Sequence, residues 1–218
     1  HVANLPKLVD RDLESLPHKY TIEDSIEGWS DAIKFLMLSY TEGNEYSGKT
    51  IIFDYSQIRP KGSFISGGFK APGSEPLKLC INTIVDLLDK EITNGNYAIR
   101  TIVAYDIIMY IADAVISGGV RRSATICMFS KDDEDMIKAK TGDWYLTNPQ
   151  RGRSNNSVIL LRDSTTFEEF DSIMDSVQHS GEPGFIWVDD LEFTLNPCVE
   201  VGMYPRLPDG RTGFQVCN

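Results

Sequence analysis

Stretches with helical and with strand-like patterning alternate along this chain, joined by short glycine-rich connections, and that alternation predicts an α/β fold with mainly parallel strands. Composition agrees. At 218 residues, with 41% hydrophobic and 10% aromatic side chains, the chain can bury a substantial core as one large or two small domains. No repeat of fixed period and no low-complexity tract argues for a solenoid or a disordered segment.

The elements follow in order. Residues 1–24 carry Pro6, Pro17 and many charges, and read as linker with a short helix. Asp24-Ser25 offers an N-cap, and Trp29, Ile33, Leu36, Met37 and Tyr40 recur at helical spacing, so a helix is expected over 26–40. Residues 50–55 form a β-rich run bounded by turns. A loop is expected over 59–73, then a helix over 75–90 whose apolar face includes Leu77, Leu79, Cys80, Ile84, Val85, Leu87 and Leu88. The almost wholly apolar run 101–116, broken by Asp106 and Asp113, predicts a buried helix. A strand over 120–129 containing Cys127, a charged helix over 131–140, a loop over 144–154 and a strand over 158–161 come next. Last are a helix over 166–180, with Phe167, Phe170, Ile173, Met174 and Val177 inward, and a strand over 185–188.

Charge and cysteine usage exclude several function classes. Asp and Glu outnumber Lys and Arg by 32 to 21, for a net charge of −11, which opposes an unspecific grip on a nucleic-acid backbone while leaving local nucleotide binding open. The four cysteines (80, 127, 198 and 217) form no Cys-x-x-Cys pair and are too sparse for a disulfide scaffold. They read as free thiols in a reducing compartment, and with no membrane-span-length apolar run the expectation is a cytoplasmic protein without membrane contact. None of the three histidines is spaced for a metal site with Cys or Glu, so no metal is expected.

Two stretches carry candidate chemistry. Residues 59–73 hold four glycines and two prolines in 15 positions. Gly67 and Gly68 allow close backbone approach to a ligand, and Lys61 and Lys70 add cations beside it, although a surface turn with solvated lysines fits the same residues. The Gly-Lys-Ser/Thr ending of a nucleotide-triphosphate loop is missing. The second stretch is Asn196-Pro197-Cys198-Val199-Glu200, followed 19 positions later by Cys217. Read as an extended segment, it would project Asn196, Cys198 and Glu200 from one face, with Pro197 denying the segment a helix. The alternative is a loop around one buried, inert cysteine. Likewise Cys80, set among apolar helix positions, reads as packing, and Arg121-Arg122 as either an anion contact or an internal salt-bridge anchor.

Asn-Pro-Cys-x-Glu with a later Cys-Asn (residues 217–218) resembles the active-site finger loop of the ribonucleotide reductases. Three further stretches occur in the matching order. They are Ile58-Arg59-Pro60-Lys61-Gly62 leading into Gly67-Gly68-Phe69-Lys70-Ala71-Pro72-Gly73, then Ser117-Gly118-Gly119-Val120-Arg121-Arg122-Ser123-Ala124, then Arg153-Ser154-Asn155-Asn156-Ser157. Together they most resemble the adenosylcobalamin-dependent class, from about Leu5 to Asn218. Val199 departs from the pattern, since many relatives carry Gly there.

The resemblance implies a ten-stranded α/β barrel with a central finger loop, of which residues 1–218 would be about half, with a specificity loop at about 59–73 and the finger loop at about 194–202. It implies reduction of ribonucleoside di- or triphosphates to deoxyribonucleotides by thiyl-radical chemistry. Cys198 would be the thiyl residue, Glu200 the general base, Asn196 a sugar-orienting group, and Cys217 one of two reducing thiols. Lys61, Gly67, Gly68 and Lys70 would relay effector identity. Adenosylcobalamin, an external dithiol such as thioredoxin, a ribonucleotide substrate, a deoxynucleotide effector, the remaining segments of the same reductase and a homodimer partner are the cofactors and partners so implied. The partner thiol of Cys217 and a phosphate-binding half are not found in the chain, which is therefore expected to be inactive alone. The rival expectation is a non-catalytic module for effector binding and dimerisation, in which Cys198 is inert.

Overall fold

In the computed structural model, which describes residues 4–65, 68–115, 124–203, 207–211 and 213, the chain divides into two compact units, residues 1–123 and 124–218. Both are α/β with parallel sheets, as the alternation predicts.

In the first unit β1 (His18–Thr21) pairs in parallel with β2 (Ile51–Asp54), and α1 (Ile26–Tyr40) is the crossover between them. Parallel neighbours require such a connection, because a tight hairpin cannot return the chain in the same direction. Ser25 starts α1, its hydroxyl accepting the Gly28 N–H at 2.9 Å. Tyr20 of β1 packs on Phe35 of α1, ring centroids 4.6 Å apart. Strand β1 lies where linker and short helix were expected: four residues, His18-Lys19-Tyr20-Thr21, alternate between exposed and half-buried, too short and too polar to give a strand signal alone.

Helices α2 (Glu75–Thr93) and α3 (Thr101–Ala114) complete this unit's core. Leu77, Cys80, Ile81, Ile84 and Leu88 form the buried face of α2, while Leu79 lies one position off that stripe and is 70% exposed, contrary to its expected place inside. The join between the helices is held by Glu91, buried on α2, whose carboxylate takes two hydrogen bonds from Arg100, at 2.9 and 2.8 Å. Arg100 thereby holds the Glu91 carboxyl below its ordinary pKa.

The second unit is a three-stranded parallel sheet in the order β3 (Thr125–Ser130), β4 (Ser154–Leu161), β5 (Gly184–Val188). Cys127 sits in β3 opposite Asn156, in the sheet as expected. The crossover from β3 to β4 differs from expectation. The helix predicted over 131–140 is one turn, α4 (Glu134–Ile137), and the loop predicted over 144–154 contains α5 (Trp144–Thr147) and a 3-10 turn, Pro149–Arg153. Lys140 explains the compaction: its buried ammonium donates to the Ser154 carbonyl and pairs with Glu182 at 3.0 Å, drawing this segment onto the start of β4. Strand β4 is also longer than expected, with Asn155 and Asn156 inside it.

Helix α6 (Phe167–Ser180) makes the second crossover, opened by a full capping box between Thr166 and Glu169. Its Phe170 packs between Phe185 and Trp187 of β5, centroids 5.1 and 5.6 Å away. Phe167, expected inward, is exposed because it occupies the first helical position, before the apolar stripe meets the sheet.

Candidate active site

Residues 194–203 form a small hairpin in the second unit. Leu195 and Gly202 bridge in antiparallel fashion, Asn196 N–H donates to the Val201 carbonyl at 3.1 Å, and Met203 N–H to the Thr194 carbonyl at 2.8 Å. At the tip, the Asn196 carbonyl accepts the Val199 N–H at 2.9 Å, making Asn196-Pro197-Cys198-Val199 a β-turn. The extended segment expected at 196–200 is thus replaced by a reversal. The residue types account for it: Asn is favoured at the first position of such a turn, and Pro at the second, where its fixed φ fits.

The reversal buries one of the three side chains expected on one face. Asn196 is 2% exposed, and its side-chain oxygen accepts the Val201 N–H at 2.9 Å. Cys198 and Glu200 stay exposed, at the tip and just beyond it. Val199 takes φ +69°, the left-handed region, where a β-branched residue is strained. A turn followed by a left-handed residue is a common short-hairpin construction that favours Gly at that place. A packing limit lies at the hairpin base, since a Cβ on Gly202 would come within 3.2 Å of the Phe193 ring.

One contact ties the tip to the sheet. The side-chain amide of Asn155, in β4, donates to the Pro197 carbonyl at 2.6 Å. Sequence reading singled out Asn155 within its motif but gave it no role; nothing local in a strand residue announces a partner 42 positions away.

The other thiols differ from Cys198. Cys80 is buried on α2, and burial, reinforced by Asp113, pushes its thiol up to about 12. Cys127 is pushed to about 11, again chiefly by burial, with Asp133 raising it further and Lys140 opposing. Neither is primed for nucleophilic or redox work. Cys217 and the Arg121-Arg122 pair lie outside the described residues.

The glycine-rich loop belongs to the first unit. Gly62 N–H donates to the Ala71 carbonyl at 2.9 Å, Ala71 N–H to Ser63 at 2.7 Å, and Phe64 bridges Lys70, so the loop is itself a narrow hairpin. Gly73 closes it at φ +76°, with Lys61 N only 3.0 Å from where a Cβ would stand. Lys61, Gly68 and Lys70 are exposed, while Gly67 lies outside the described residues. Beside the loop is a cavity of about 790 Å³. Trp29, Ile33, Leu77 and Ile111 give it apolar walls, and the Arg59–Asp24 ion pair lies among its lining residues. Periodicity placed Trp29 and Ile33 on the inner face of α1 but could not show that the face borders an opening. Among the described residues no cluster of His, Cys, Asp and Glu could hold a metal ion, and no helix is long and apolar enough to cross a membrane.

No protein-family model matches the chain. Among curated proteins it is 32% identical over 193 residues to the adenosylcobalamin-dependent ribonucleoside-triphosphate reductase of Lactobacillus helveticus, covering 88% of this chain and 24% of that protein. It is 31% identical over 203 residues to the enzyme of the same name from Lactobacillus leichmannii, covering 84% and 26%. Among solved structures, the crystal structure of a B-12 dependent (class II) ribonucleotide reductase superposes with a TM-score of 0.66 at 28% identity, over 94% of this chain and 26% of that one. The chain therefore spans about a quarter of the length of the relatives it matches, and over that span it is similar, in sequence and in fold, to adenosylcobalamin-dependent ribonucleotide reductases.

Proposed function

We propose that this chain is a stretch of the catalytic barrel of an adenosylcobalamin-dependent ribonucleotide reductase, with residues 194–202 as its finger loop and 59–73 as its specificity loop. The observation that carries the reading is the exposed Cys198 at the tip of a turn held on both sides, by Asn196 within the hairpin and by Asn155 from β4. In this reading the two parallel sheets are parts of the ten-stranded barrel.

The chemistry asks for a residue that can remove an unactivated ribose hydrogen, which neither a carboxylate nor a thiolate can do at neutral pH. A thiyl radical can. Adenosylcobalamin, when bound, would supply the one-electron oxidising equivalent that a Cys198 thiyl needs, and an exposed thiol fits that need. None of the described residues is assigned to hold the cofactor itself. As the thiyl, Cys198 would then take the 3′-hydrogen of the substrate, Glu200 would accept the 3′-hydroxyl proton, the 2′-hydroxyl would leave as water with a proton from the reducing thiol pair, and Cys198 would finally return the hydrogen atom to C3′. Asn196 acts chiefly through the turn, because its side-chain oxygen is already engaged by Val201. Cys217 and a second thiol supply the two electrons as they close to a disulfide, which an external dithiol such as thioredoxin reopens. The product would serve deoxyribonucleotide supply for DNA replication.

The cavity beside the glycine-rich loop supports effector regulation. Trp29 offers a face for a base, and Lys61, Gly68 and Lys70 lie on the hairpin next to it. The same cavity favours the rival reading, a non-catalytic effector-binding and dimerising module. The two readings part on activity. Replacing the matching stretch of the Lactobacillus leichmannii reductase by these residues should give a chimera that reduces ribonucleoside triphosphates with adenosylcobalamin and a dithiol. A folded, nucleotide-binding chimera with no reduction would favour the module.

A further inference from the structure

We infer that Asn155 is a positioning residue for Cys198, acting as a clamp on the central peptide of the finger-loop turn; its catalytic consequence rests on the reductase reading above. The carbonyl it holds, that of Pro197, belongs to the peptide bond that enters Cys198. In a β-turn this central peptide is the soft element: rotating it interconverts the common turn types and changes φ of the third residue, here Cys198, while the outer residues barely move. Of the described non-glycine residues, Val199 alone has positive φ, so Cys198 stands on the negative-φ side of that interconversion. A donor on the Pro197 oxygen opposes the flip, and the Asn155 amide is 2.6 Å from it.

The donor is itself well anchored. Ser154 opens β4 with its carbonyl held by the buried Lys140 ammonium, and its hydroxyl donates to the Asn156 side-chain oxygen at 2.7 Å. Ser154 and Asn156 are buried, and strand alternation sends Asn155 to the opposite side, towards the finger loop. Lys140 is fixed in turn by Glu182 at 3.0 Å and by the Trp144 ring at 5.7 Å. The clamp therefore stands on a rigid strand rather than on another loop, which is what holding a reactive atom in place requires.

Backbone amide relaxation dispersion and exchange on the 218-residue chain, unsubstituted and as Asn155→Ala and Asn155→Asp, test the clamp. The aspartate keeps the shape but, ionised, cannot donate. Both variants should show new conformational exchange at the Cys198 and Val199 amides, and about fivefold lower protection of Val199, from the loss of one hydrogen bond. Val158 and Leu160 in β4 should not change. In the chimera the same variants should lower kcat with KM unchanged. Turn amides that behave identically in all three proteins would overturn the clamp. If the variants disturb β4, the unsubstituted chain decides by a scalar coupling across the hydrogen bond from Asn155 Nδ2 to the Pro197 carbonyl carbon, whose absence overturns the clamp. Turn amides that respond in a chimera inactive even when unsubstituted would support the clamp and overturn the reductase reading instead.

Discussion

Asn196 Oδ1 accepts the Val201 N–H at 2.9 Å from a side chain only 2% exposed, so a buried amide, and not the backbone alone, closes the hairpin that carries Cys198. Removing it leaves the Val201 donor without that partner. Asn196→Ala should destabilise the second unit by about 1–3 kcal/mol, the cost of a lost buried hydrogen bond. Urea denaturation followed by Trp187 fluorescence measures this, and a change within error of zero would mean the hairpin is closed by its backbone bonds.

Val199 sits at φ +69° with its side chain 42% exposed, so it is strained while contributing little burial. Val199→Gly should remove strain of about 1–2 kcal/mol. Glycine's added unfolded-state freedom should give back about 0.5–1 kcal/mol. The net expectation is a small gain in stability, seen as a higher denaturation midpoint; Val199→Ala, which keeps the Cβ, should gain less.

The thiols should separate by accessibility and pH. At pH 8 iodoacetamide should label Cys198 well before Cys80 or Cys127 in the folded chain, as read by peptide mass spectrometry. Burial raises Cys80 from 9.0 to about 12, so the folded state keeps a proton that the unfolded chain gives up earlier. Its contribution to stability is complete below the unfolded value and is lost as pH rises through the window from about 9 to about 12. Cys80→Ala should flatten that alkaline decline, and an unchanged slope between pH 9 and 11 would refute the assignment.

Arg100 holds the buried Glu91 carboxylate where α2 hands over to α3. Arg100→Ala should cost about 2 kcal/mol in the first unit, because breaking one side of a partly buried pair strands the other. Glu91, held below its ordinary value, contributes stability above the unfolded carboxylate range that is lost as pH falls. The variant should therefore lose less on acidification than the unsubstituted chain, which thermal melts across the acid range would show.

Long elements with strong apolar periodicity were legible in the sequence: α1 and α6 match to within a residue, and the starts of α2 and α3 are as expected. Short ones were not. Strand β1 is four polar-looking residues stabilised by pairing with β2, and the turns between Lys131 and Arg153 are organised by Lys140, a tertiary contact that no local window contains. The motif around Cys198 could be recognised from its residues, but its shape was misread, because Asn-Pro suits a β-turn as well as an extended run and only the pairing of Leu195 with Gly202 decides between them.

For the glycine-rich hairpin, Lys70→Ala in the chimera should change which base is reduced more than it changes total turnover. Competition among the four ribonucleotides with each effector measures it. An equal loss on all four would argue against a specificity role.

Release of tritium from 3′-labelled ribonucleotide by the chimera measures the hydrogen abstraction assigned to Cys198 most directly. The unsubstituted chimera should release it over many turnovers, and Cys198→Ser should release none, because a serine hydroxyl cannot replace the thiol as hydrogen-atom carrier. Cys217→Ser should keep the abstraction step but complete no reduction, because its thiol is one of the two that supply the electrons. Equal release from the unsubstituted and the Cys198→Ser proteins would contradict the assignment of Cys198 as the radical residue.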